Sequence, residues 1–137
     1  MTFEEFRDFA ETKFGTDWTS TPIEFENIPE STALVSAKES KSPWVRFTIR
    51  DGDGQRKTIG SGSPVNRYVG VIIVQIFVAQ KTGTATARGY ADDVAADWNG
   101  FTQPCLEFRT PSIAVPGEIG GWFQINVSIP FQNDEIT

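Results

Sequence analysis

The stretch YVGVIIVQIFVA, residues 68–79, limits the possible folds more than any other part of the chain. Extended, it places Val69, Val71, Ile73 and Phe77 on one face and Ile72, Val74, Ile76 and Val78 on the other, with Gln75 as the one polar interruption. A strand apolar on both faces has to be covered on both, so it belongs in the middle of a sheet or against a neighbouring subunit. It also falls short of the roughly 18 apolar residues of a membrane-spanning helix, and no other stretch comes closer.

Other segments supply partners for that strand. Residues 44–51, WVRFTIRD, alternate strictly, with Val45, Phe47 and Ile49 on one face and Trp44, Arg46, Thr48 and Arg50 on the other. Asp51-Gly52-Asp53-Gly54 has turn composition, and Arg56 to Ile59 is expected to pair back as a short second hairpin arm. Trp122 to Phe131 alternates as cleanly, with Phe123, Ile125, Val127, Ile129 and Phe131 inward and Gln124, Asn126 and Ser128 outward. A short strand is expected within Thr21 to Ile28, where Ile23 and Phe25 alternate with Glu24 and Glu26, and a patchy one from Cys105 to Val115, interrupted at Pro111.

Two helices carry apolar stripes. Thr2 is positioned as an N-cap, with Glu5 at capping-box spacing and Glu4 in the first turn. Phe3, Phe6, Ala10 and Phe14 then line one face, Phe9 widens it, and Gly15 is expected to stop the helix. The second helix starts at Thr82 or Thr84, presents Ala87, Ala91, Val94, Ala95 and Trp98, and ends at Asn99-Gly100. Its small residues suit a close approach to the sheet. Residues 29–43 bury little that could offset the entropy of ordering, so they are expected to form a flexible loop, as are residues 52–67 around Gly60-Ser61-Gly62-Ser63-Pro64. The order of elements predicts one α+β domain over residues 1–137, a mixed or mostly antiparallel β-sheet with two α-helices packed on one face.

Composition removes most chemistry. There is no His and a single Cys, so the usual proton shuttle and the common zinc ligand sets are missing. The net charge of −6 disfavours a domain built to grip phosphates. Asp51-x-Asp53-Gly54 begins like a calcium loop, but Gln55 and Gly62 stand where further oxygen ligands are needed. The glycine-rich segment at 60–63 lacks the Gly-Lys-Ser/Thr ending of a phosphate loop. Cys105 has no His to activate it and is expected to be a buried filler; Asp92, Asp93 and Asp97 share the second helix, with Asp93 and Asp97 one turn apart on its solvated side. No catalytic, cofactor-binding or metal-binding residues are expected, and no enzyme. Residues 1–14 are too charged for a signal peptide, which points to assembly in the cytoplasm.

The outward sheet residues carry more information. Trp44, Arg46, Arg50, Trp122, Gln124 and Asn126 combine aromatic, Arg and amide side chains of the kind concentrated at protein interfaces, and they form the candidate contact surface. The competing reading has Trp44 and Trp122 capping the rim of the core. If the surface is a contact, reversing the charges of Arg46 and Arg50 should abolish assembly and leave the fold intact.

The succession WVRFTIRDGDGQRKTIGSG, NRYVGVIIVQIFVAQKTGTATARGYADDVAADWNGF and GGWFQINVSIPFQND resembles the tail terminator, or tail completion, proteins of long-tailed bacteriophages. That family has an N-terminal helix, a hairpin, a long strand of the type G-x-I-x-V-Q-I-F, a Gly-Thr and Ala-rich helix segment, and a final W-x-x-x-V-x-I-x-F strand. The matching positions are Gly70, Ile72, Val74, Gln75, Ile76 and Phe77, then residues 81–99, then Trp122, Ser128, Ile129 and Phe131. The last strand departs from the strict spelling and keeps the alternation. The resemblance implies a structural virion protein of the tail, without cofactor or catalysis. Such subunits assemble as a ring, commonly of six copies, that stops tail tube polymerisation, offers a surface to the head-tail connector protein and lets DNA pass without binding it. The alternatives are a small α+β module that dimerises through its sheet, or another neck protein.

Overall fold

The computed structural model describes residues 1–57 and 65–136. Helix α1 spans Phe3–Asp17 and begins as expected: the Thr2 hydroxyl accepts from the Glu5 N–H (3.1 Å) while the Glu5 carboxylate accepts from the Thr2 N–H (2.9 Å). It runs past Gly15 rather than stopping there. The extra turn is held by a Lys13–Asp17 ion pair (2.6 Å) and by Trp18, which caps the helix and stacks on Phe14. Strand β1 is Ile23–Phe25, inside the expected segment.

The segment 29–43 is not a flexible loop. It contains helix α2, Thr32–Ser40, capped by the Ser31 hydroxyl on the Leu34 N–H (3.1 Å) and ended by Lys41 in the left-handed region (φ 59°). Leu34 and Ala37, one turn apart, provide its small apolar face, and that face is enough because Trp44, Phe77 and Trp122 stand ready to receive it.

Strand β2 spans Trp44–Arg56 and β3 spans Val65–Ala79. The expected turn at Asp51–Gly54 is instead a β-bulge inside β2, after which Gly54, Gln55 and Arg56 pair with Tyr68, Arg67 and Asn66. The flexible reading of 52–67 therefore fails at 52–56 and 65–67, and Arg56 belongs to the first arm. Residues 58–64, which include Thr58 and Ile59 of the expected second arm and the glycine-rich segment, lie outside the described residues. Gly70 is required by close packing: a Cβ there would lie 2.5 Å from a Phe131 ring carbon and 2.6 Å from the Arg50 carbonyl.

Helix α3, Ala85–Trp98, has Thr84 as its N-cap residue without a side-chain bond, and it closes through Asn99 and Gly100 (φ 70°). Strands β4 (Thr102–Gln103) and β5 (Leu106–Phe108) form a tight hairpin through Pro104 and Cys105. Cys105 is thus exposed, with φ 67°, and is not the buried filler expected, because the turn points it away from the core. The patchy segment resolves into β5 and a separate strand β6, Ser112–Ile119. A two-residue Gly120-Gly121 turn, both at positive φ, leads into β7, Trp122–Ile136.

The fold is α+β, with a mixed, mostly antiparallel seven-stranded sheet in the order β1-β2-β3-β7-β5-β4; β6 also pairs with β7. Among the described strands, only β1–β2 is parallel. The apolar strand β3 sits between β2 and β7, as its composition requires. Helices α1 and α3 cover one face, where Phe14, Phe47, Val74, Val127 and Trp98 form the centre of the core. The expectation of two helices, both on that face, needs one correction: α2 is a third, and it covers one end of the opposite face. Asp97 also differs from expectation. It faces α1, where Lys13 reaches it at 3.2 Å, and burial, with Asp17 alongside, raises its carboxyl above the ordinary value despite Lys13. Asp92 and Asp93 are exposed.

Candidate assembly interface

Register brings the sequence-selected residues together on the sheet face away from α1 and α3. Trp44, Phe77 and Gln124 form one cross-strand row across β2, β3 and β7, and Arg46, Gln75 and Asn126 form a nearby row. Trp122 stands beside Ala79 at the end, and Arg50 lies further along, beside Val71 and Pro130.

These residues have two different environments. Trp44 is 3% exposed, stacks on Phe77 at 4.1 Å between ring centroids and meets Trp122 edge-on at 6.0 Å. Lys38 and Arg46 lie over the Trp44 ring and Lys41 lies over Trp122. Gln124 is 6% exposed, and its amide donates to Asn126 (2.7 Å). Trp44 and Gln124 are therefore buried within this chain, and the space that a partner would have taken over Trp44 belongs to α2. Beyond that helix the face is open. Arg50 is exposed, Val69 is 41% exposed, and Val71 and Ile73 are half-buried.

Glu24 ties the covered end together. Its carboxylate accepts from Arg46 on β2 and from Lys38 on α2 (3.1 Å), and Lys38 also bonds Glu30. Burial pushes the Glu24 carboxyl up, but the hydrogen bonds from Arg46 and Lys38 outweigh it and hold the group below its ordinary value. A carboxyl depressed in the folded state adds stability above its unfolded pKa, and that contribution is lost as pH falls through the folded value. Glu24→Gln is expected to cost about 1 kcal/mol at neutral pH and almost nothing in acid, where the native carboxyl is itself protonated. Thermal melts of both chains from pH 7 to pH 3 check this; an equal gap at every pH would dismiss the ion-pair account. The same contact changes what charge reversal can test. Arg46→Glu would set two carboxylates side by side and loosen α2, so Arg50→Glu is the cleaner probe of the open face.

Sequence reasoning reached only the first half of strand β6, as the end of the patchy segment, and missed the rest. The strand pairs with β7 on one side and has no strand on the other among the described residues, and seven of its eight residues are exposed. Ile113 (48%) lies on its first half, and Val115 (42%) sits with Pro116 in a bulge between Ala114 and Gly117. Ile113 pairs with Val127, so it points to the side of the sheet that carries α1 and α3, beyond the area they cover. At the opposite side of the sheet, β1 pairs only with Val45–Phe47, so the rest of β2 has no strand beyond it among the described residues. Proteins normally blunt an open edge with charge, Pro or a bulge; β6 has the Pro and the bulge but keeps its apolar side chains.

No family model and no curated protein matches the chain. Solved structures do. One aligns over 96% of this chain and 95% of its own at a TM-score of 0.62 and 14% identity, and its name states no activity. That likeness establishes a shared α+β architecture. No helix among the described residues is long and apolar enough to cross a membrane.

Proposed function

We propose that this chain is a structural assembly protein that forms a ring on the end of a bacteriophage tail tube, halting tube polymerisation and presenting a surface for head joining. The observation that carries the reading is the pair of unlike open sides of the sheet: β6 with exposed Ile113 and Val115 on one side, and β2 beyond Phe47 on the other. A closed ring needs a head-to-tail contact between two different patches, and these patches are different and lie on opposite sides. The strand pattern shared with tail terminator proteins adds the location, and the tube protein and the head-tail connector are the partners it implies. The mechanism is association alone: the last layer covers the growing end. An acidic chain of net charge −6 around a channel would let DNA pass without holding it.

A second reading rests on the same β6 edge. Two copies could pair their β6 strands across a two-fold axis and form a dimeric binding module. Native mass over a wide concentration range, followed by negative-stain images, separates the two. Closed rings, commonly six copies, are the expected result. A stable two-fold dimer would replace the ring reading with the module, and a monomer that also fails to decorate purified tube ends would overturn it.

A further inference from the structure

We infer that a groove beside α1 is a docking site for a basic, extended segment of a partner protein, held by one bulky apolar anchor and by its positive charges. The groove has a volume of about 730 Å³ and runs between α1, residues 26–28 and the helix-covered face of β2. Phe3 (58% exposed) and Ile28 (55% exposed) stand on its two sides and the half-buried Ile49 lies between them, so an apolar side chain entering it gains contact on three sides. Phe3 is braced edge-on against Tyr68 at 4.9 Å.

The charge of the lining selects the occupant. Glu4, Glu11, Glu26 and Asp51 face Arg7 alone, four carboxylates against one guanidinium, a net charge of −3. Arg7 is committed to Glu4 (2.6 Å) and Glu11 (2.7 Å), and Glu26 accepts the Ile49 N–H (3.0 Å). Asp51 has no ion-pair partner among the described residues. Nucleic acid is repelled here. A bare cation or a polyamine would leave Phe3 and Ile28 in water. A segment in which Lys or Arg alternates with an aliphatic or aromatic residue satisfies both halves of the lining. Since Glu26 already occupies the Ile49 N–H, side chains rather than an added strand provide the recognition.

The probe is a fluorescein-labelled Lys-Val-Lys-Leu-Lys-Val-Lys peptide, titrated with the full chain and read by fluorescence anisotropy. Saturable binding at one peptide per chain is expected. Glu4→Lys with Asp51→Lys should weaken it by about tenfold or more. Ile28→Ser should weaken it by about threefold or more. Asp92→Lys with Asp93→Lys on α3, an equal change of charge elsewhere, should leave it within about twofold of the parent. A loss from the α3 variant as large as that from the groove variant would overturn the proposal, as would displacement by spermidine at matched charge or the absence of saturation. If a groove variant fails to fold by far-UV circular dichroism, amide shift changes in the parent chain decide: they must fall on residues 3–11, 26–28 and 49–51. The groove shares Ile49 and Asp51 with the open stretch of β2, so the titration is made at concentrations where native mass shows single chains. Rings without peptide binding would remove this site and leave the ring, while peptide binding to a chain that never forms rings would do the reverse.

Discussion

Val74→Asp should abolish the folded state. Val74 is fully buried in the middle of β3, with Phe47 beside it on β2 and Val127 on β7. Phe47 also lies 6.3 Å from the Trp98 ring of α3, so this row is where the sheet and the helices close on each other. A carboxylate there would face only apolar neighbours, and either its charge or the hydroxyl of its protonated form would lack a partner, at a cost of roughly 4 kcal/mol or more. Domains of this size have only about 5–15 kcal/mol in total, and the backbone pairing of the three longest strands depends on the same row. Val74→Ala removes volume without adding charge and should cost about 2 kcal/mol, keeping a cooperative melt at lower temperature. A Val74→Asp chain that melts cooperatively within a few degrees of the parent would refute this account of the core.

Ile113→Lys with Val115→Lys should leave the monomer folded and eliminate its assembly. Both side chains are about half exposed, so their replacement should change stability by only about 0.5 kcal/mol each. Lys on an open strand is, however, the usual means of blocking edge-to-edge pairing, because a neighbouring strand would have to bury or displace the ammonium groups. Native mass should fall to that of one chain while the melting temperature moves by no more than a few degrees. Rings that persist in the double variant would remove β6 from the subunit contact. A matched Arg50→Glu variant reports separately on the open sheet face, which is a different surface of the same fold.

Much of the architecture was legible because period-2 alternation is a local property that tertiary contacts then reinforce. Val45, Phe47, Ile125, Val127 and Ile129 all point into the core as their spacing indicates, and the Thr2–Glu5 box starts α1 where it should. The failures share a cause. Helix α2 carries only Leu34 and Ala37 as a buried face, too little to signal a helix until the Trp44–Phe77–Trp122 group that receives it is known. The Asp51–Gly54 segment has the residues of a turn, yet Gly54 opposite Tyr68 is needed for close strand contact, since a Cβ there would lie 2.7 Å from the ring. Strand β6 did carry a signal: Gly120-Gly121 directly before an alternating run marks a two-residue hairpin and places a strand ahead of it. Of the six candidate surface residues, Arg50 remains exposed, whereas Trp44 and Gln124 are enclosed by their own chain.

The sequence by itself determined the α+β class, the central place of β3, the inward faces of β2 and β7, and the helices α1 and α3. Those features follow from side-chain periodicity, and burial of a periodic apolar face has few solutions. Only the tertiary structure decided which outward residues stay outward. Whether Trp44 is a contact or a core residue depends on where α2 lies, and whether Ile113 and Val115 are covered depends on how far α3 reaches across the sheet. Exposure is a property of neighbours distant in the chain, so the open β6 edge and the acidic groove beside α1 emerge only once those neighbours are in place.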